Sequence, residues 1–86
     1  QKSPVTLYNS DCGSLCDRAR NLLQARGIPF TEKDARVPAE LEELRGLVGP
    51  DKAIIPSLTV GNTALGGFDA ARWNSTLDSA GYPKAP

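Results

Sequence analysis

The sequence predicts an α/β domain: a mixed four-stranded sheet flanked by three helices, in the order β-α-β-α-β-β-α. Three observations predict it. Short runs rich in β-branched and aromatic residues alternate with longer runs of helical periodicity over the first part of the chain. Near the end, Gly61-Asn62 separates two short apolar runs, the signature of a two-residue hairpin turn of type II′ or I′. Glycines and prolines punctuate the runs where helices would stop and start. Strand–helix–strand units give parallel neighbours and a hairpin gives antiparallel ones, so the sheet is mixed.

Each element follows from local residues. Val5-Thr6-Leu7-Tyr8 reads as a buried first strand, and Asn9-Ser10-Asp11 supplies turn and capping chemistry. A first helix over Leu15 to Arg26 is expected to bury Leu15, Ala19, Leu22 and Leu23, with Gly27 as its terminating glycine. Ile28-Pro29-Phe30-Thr31-Glu32-Lys33 reads as a second strand, its proline marking an edge or entry position. Pro38 opens a second helix that presents Leu41, Leu44 and Val48, and Gly49-Pro50 ends it. Its Glu40, Glu42 and Glu43 read as a solvated face.

The third strand is expected over Ile54 to Val60, and Thr63-Ala64-Leu65 pairs with it through the hairpin. Gly66-Gly67 breaks the chain sharply. Asp69 caps a last helix carrying Ala70, Trp73, Leu77 and Ala80 on one side, closed by Gly81. Residues 1–86 are read as a single domain with a folded core over 4–81 and a Pro-rich tail, 82–86, expected to fray.

Composition narrows the function classes. Lys plus Arg and Asp plus Glu balance at 10 each, which argues against nucleic-acid binding or electrostatic attachment to a membrane. No apolar run approaches the ~20 residues that span a bilayer, and no signal-peptide core is present. The chain opens on Gln1 and has no methionine, as a mature form or excised domain would. An absent targeting segment says little about compartment; the expected compartment is the cytoplasm, with the bacterial periplasm as the alternative for an excised domain. A monomer is expected.

Chemistry concentrates at Asp11-Cys12-Gly13-Ser14-Leu15-Cys16-Asp17, which holds both of the 2 cysteines. A helix N-terminus carries unpaired amides and partial positive charge, worth ~0.3–1 kcal/mol to a nearby anion and up to ~2 in a partly buried site. That favours thiolate at neutral pH. Four residues of helix entry also place the Cα atoms about 6 Å apart, within reach of a disulfide. Cys12, nearer the turn, is the expected nucleophile and Cys16 the resolving thiol. The plain alternative is two neutral cysteines, one of them a small buried hydrophobe. Asp11 and Asp17 oppose a thiolate, while Arg18 and Arg20 offset them.

Four blocks together resemble the thioredoxin fold, and within it a small glutaredoxin. They are Val5-Thr6-Leu7-Tyr8; Cys12 and Cys16 running into Ala19-Arg20-Asn21-Leu22-Leu23; Arg26-Gly27-Ile28-Pro29-Phe30; and Ile55-Pro56-Ser57-Leu58 with Gly66-Gly67-Phe68-Asp69. The spacing is Cys-x-x-x-Cys where the family has Cys-x-x-Cys or Cys-x-x-Ser, so Gly13 takes the family's nucleophile slot. The resemblance implies a glutathione-dependent thiol–disulfide oxidoreductase in cell redox homeostasis. Its co-substrate would be glutathione and its partners glutathionylated or disulfide-bonded proteins.

The resemblance also implies a cis Pro56, with the Ile55 backbone free to pair with an extended peptide. On the residues alone, Pro56 is an ordinary trans proline at a strand start. Gly66, Gly67, Phe68 and Asp69 match the family's turn for the γ-glutamyl end of glutathione, although a tight turn and N-cap need the same residue types. The Phe68 and Trp73 rings themselves read as core. Lys52 is the candidate for the tripeptide's other carboxylate, or simply a solvated lysine. Competing functions are a Cu(I)-binding or iron–sulfur module, which has the thiols but no histidine, and a thioredoxin-fold adaptor whose thiols do not turn over.

Overall fold

Strand β1 (Val5–Asn9) is the hub of the sheet in the computed structural model, which describes residues 3–84. It pairs in parallel with β2 (Thr31–Asp34), with Thr6 opposite Thr31. On its other side it pairs antiparallel with β3 (Ser57–Val60), with Leu7 opposite Leu58. Strand β4 (Thr63–Leu65) returns antiparallel against β3, giving the order β2-β1-β3-β4. The helices are α1 (Ser14–Ala25), α2 (Pro38–Val48) and α3 (Ala70–Ser79), with a single 3-10 turn over Pro50–Lys52. The fold class is the one the sequence predicts.

Alternation along the strands divides the sheet into two faces. Val5, Leu7, Leu58, Val60 and Leu65 meet Ala19 and Leu23 of α1 and Trp73 and Leu77 of α3 in one buried core. Each fully buried large side chain contributes ~1.5–3 kcal/mol, so this layer holds α1 and α3 in place. The other face carries Tyr8 and is covered by α2. The Tyr8 hydroxyl donates to Glu43 Oε1 at 2.6 Å, and Lys33 Nζ donates to the same oxygen at 2.6 Å. Burial, followed by the bond to Glu43, pushes the Tyr8 phenol up from its ordinary value. Glu43 is therefore the anchor of α2 on the sheet, not a member of a purely solvated face.

Helix ends follow the expected glycines. Gly27 N–H bonds to Gln24 O and Ile28 N–H to Leu23 O; Gly81 N–H bonds to Asp78 O and Tyr82 N–H to Leu77 O. Both are Schellman closures, and both glycines take positive φ, 67° and 89°. In the hairpin, Gly61 has φ 59° and Asn62 does not take a positive value, which selects type II′ over type I′.

Several boundaries differ from expectation. Strand β2 starts at Thr31, since Ile28 closes the α1 turn and Pro29 has no N–H to donate. Strand β3 starts at Ser57, after the Ile54–Pro56 approach. Leu15 is 41% exposed, and Cys16 at 1% takes the core-facing place on α1. At Tyr82 and Pro83 the chain meets Arg26, which is 5% exposed and donates to both their carbonyls and to Asp78 Oδ1. Residues 85 and 86 of the expected tail lie outside the described residues. Among the described residues, no helix is long and apolar enough to cross a membrane.

Candidate active site

The parallel pairing of β1 with β2 forces a crossover through α1, and the β1–α1 connection carries both cysteines. Cys12 and Cys16 form a disulfide with Cα atoms 5.4 Å apart. Cys12 is exposed, whereas Cys16 lies in the first turn of α1 and is only 1% exposed. The site therefore offers one sulfur to an incoming reagent and hides the other.

Gly13 is the N-cap of α1, with φ 82°, and no side chain caps it. This corrects the expected capping by Asn9, Ser10 and Asp11: Cys12 and Gly13 intervene, and the left-handed backbone at Gly13 turns the chain into the helix. The first intrahelical bond runs from Asp17 N–H to Gly13 O at 3.1 Å. The amides of Ser14, Leu15 and Cys16 thus have no helical acceptor and face the disulfide end of the helix. Cys12 stands one residue outside the cap.

Asn9 and Ser10 buttress the buried sulfur. Asn9 is 1% exposed and donates through Nδ2 to Cys16 O at 3.2 Å and to Glu32 Oε2 at 3.3 Å. Ser10 Oγ lies 3.7 Å from Cys16 Sγ. Neither is assigned a site role by the sequence; polar residues after a strand read equally well as turn formers. The one available signal is the placement of Asn9 in line with a buried strand.

Beside these residues, a cleft of about 530 Å³ opens between the ends of β1 and β2 and the start of α1. Its cations are committed. Arg20 grips Glu32 through Nε and Nη2, at 2.9 and 2.6 Å to the two carboxylate oxygens. Arg36 grips Asp34 in the same bidentate manner. The bond from Arg20 holds the Glu32 carboxyl below its ordinary range, and Arg36 does the same for Asp34. Arg20 is therefore turned to Glu32 and not to the cysteines.

The second wall is built by β3 and the chain before α3. The Ile55–Pro56 peptide is cis, and Pro56 is buried. Tyr8 pairs with Ser57, so the next positions on the two strands are Asn9 and Pro56. Among the described residues, the Ile55 N–H and C=O have no backbone partner. Ser57 Oγ donates to Ile54 O and accepts from Gly67 N–H at 3.3 Å, which ties the Gly66–Asp69 turn to the strand start. Trp73 Nε1 donates to Gly67 O at 3.0 Å, and Phe68 packs edge-on against Trp73. Asp69 caps α3 by accepting from Arg72 N–H at 3.1 Å.

Arg18 connects the two walls: its guanidinium lies 5.5 Å from the centre of the Phe68 ring. Lys52 is exposed, and its backbone packs on Gly66, where a Cβ would come to 2.3 Å of Lys52 O. Among the described residues, Arg18, Lys52 and Arg72 are the cations with no carboxylate within ion-pair range. All three sit around the Gly66–Asp69 turn. Asp51 and Asp69 share that region, leaving it with an excess of positive charge.

No protein-family model and no curated protein matches the chain. Among the described residues, no group of at least 3 His, Cys, Asp or Glu side chains is arranged to hold a metal ion.

Proposed function

We propose that the protein is a glutaredoxin-like thiol–disulfide oxidoreductase with glutathione as its thiol co-substrate and glutathionylated or disulfide-bonded proteins as partners. The observation that carries this reading is the asymmetry of the disulfide, with Cys12 open and Cys16 1% exposed. Only Cys12 can be attacked from solvent. A glutathione thiolate attacks Cys12 Sγ, a glutathione–Cys12 bond forms, and the Cys12–Cys16 bond breaks with its electron pair going to Cys16 Sγ. A second glutathione thiolate attacks the glutathione sulfur of that mixed disulfide, releasing oxidised glutathione and the Cys12 thiolate. The reduced protein then passes the same electron pair to a partner disulfide, with Cys12 attacking and Cys16 closing the bridge.

Two further features support glutathione in particular. The Ile55 backbone is free beside Pro56, and an extended tripeptide can pair with it as an added strand. The Gly66–Asp69 turn opens α3, so carboxylates of the tripeptide would meet amides at a helix start with Arg18, Lys52 and Arg72 close by.

The test is glutathione-dependent reduction of a small mixed disulfide by single-cysteine variants. Cys12→Ser is expected to abolish turnover, at least 100-fold on the order of a lost nucleophile, while Cys16→Ser alters the rate without abolishing it. Undiminished activity in Cys12→Ser would overturn the assignment.

A further inference from the structure

Resting on the oxidoreductase reading, we infer that Ser10 is a positioning residue for thiol–disulfide exchange, its hydroxyl holding the Cys16 sulfur and stabilising it as it leaves. Ser10 Oγ is 3.7 Å from Cys16 Sγ. A disulfide sulfur bears no proton, so in the oxidised protein the hydroxyl is the donor. When a thiolate attacks Cys12, the electron pair of the broken bond arrives on Cys16 Sγ. That sulfur belongs to a residue 1% exposed, where water cannot solvate the new charge and a protein donor must. Among the described residues, Ser10 is the side chain that makes a polar contact with either sulfur.

The neighbours keep this contact in register. Asn9 fixes the backbone at Cys16 by donating to its carbonyl at 3.2 Å, and Arg20 holds Glu32 beside Asn9. Ser10 follows Asn9 directly, so the strand end that carries one contact carries the other. A hydrogen bond to an anionic sulfur is stronger than one to a neutral disulfide sulfur. The Ser10 hydroxyl therefore favours the reduced state and the transition state leading to it over the closed disulfide.

The test is the equilibrium and rate of Cys12–Cys16 reduction by glutathione and by dithiothreitol in Ser10→Ala, Ser10→Val and Ser10→Thr. Thr and Val share a shape and differ by the hydroxyl. Ala and Val are expected to lower the equilibrium constant for reduction about tenfold, equal to a potential about 30 mV more negative, and to slow reduction in parallel. Thr should remain within about twofold of the wild type. An unchanged constant in Ala and Val, or a Thr variant as impaired as Val, overturns the role of Ser10 and leaves the oxidoreductase reading intact. A wild-type disulfide inert to both thiols overturns that reading, and the role of Ser10 with it.

Discussion

Cys16 and its neighbours carry most of the chemistry at the residue scale, and they divide into what spacing can and cannot reveal. The pairing of Cys12 with Cys16 is legible because the residue types are reactive and their separation fits a bridge across a helix entry. Which of them faces the core is not. Leu15 and Cys16 both fit the helical repeat of Ala19 and Leu23, and only the turn at Gly13 selects the cysteine. Glu32 is likewise an ordinary strand carboxylate until Arg20 and Asn9 are placed against it. Because Arg20 lowers its pKa, Glu32 binds fewer protons in the folded state than in the unfolded one. Its stabilisation is then complete above the ordinary glutamate value of about 4.3 and is lost as pH falls through the lowered folded value. Glu32→Gln should remove this acid sensitivity: less stable than wild type by ~0.2–1 kcal/mol at neutral pH, with the difference closing at low pH. Urea midpoints followed across the acid range check it. A gap that stays constant down to the lowest pH would contradict it.

At the scale of elements, glycines that look alike in sequence have opposite roles. Gly46 lies inside α2 with no atom within 4 Å of a built Cβ and without a positive φ. It serves only to loosen the helix. Gly46→Ala should therefore stabilise the protein by ~0.5–1 kcal/mol. Gly66 is the reverse: a Cβ there would come to 2.3 Å of the Lys52 carbonyl oxygen, which belongs to rigid backbone. Gly66→Ala should cost ~1–3 kcal/mol and, on the proposed function, weaken use of glutathione by displacing the turn. Thermal or urea unfolding of the two variants decides both, and equal effects would refute the distinction. Element type and order were readable from punctuation and periodicity. Strand starts were less so, since a chain leaving a Schellman turn or passing Pro29 has apolar residues to bury before it has a strand to pair with. The contacts of the Tyr82 segment are not legible in the sequence for a related reason. A Pro-rich end looks loose until Arg26, far away in sequence, reaches its carbonyls.

Charge is balanced over the whole molecule at 10 cationic and 10 anionic residues, yet it is not evenly placed around the disulfide. On the cleft side, the guanidiniums of Arg20 and Arg36 are neutralised by Glu32 and Asp34, leaving Asp11 without an ion partner among the described residues. On the Gly66–Asp69 side, Arg18, Lys52 and Arg72 have none. A negatively charged thiol approaching Cys12 is thus repelled on one flank and attracted on the other, which orients it over the turn. Each exposed cation is worth ~0.2–1 kcal/mol to an anion bound nearby. Replacing Arg18 and Lys52 together by glutamine should therefore slow reduction by glutathione several-fold, on the order of the sum of two such contacts. Reduction by the uncharged thiol 2-mercaptoethanol should be unaffected, because it has no carboxylate to steer. Added salt should narrow the wild-type preference for glutathione and affect the double variant less. Equal losses with both thiols would place the two cations in the exchange step itself or in the fold, and would remove the turn from the proposed glutathione site.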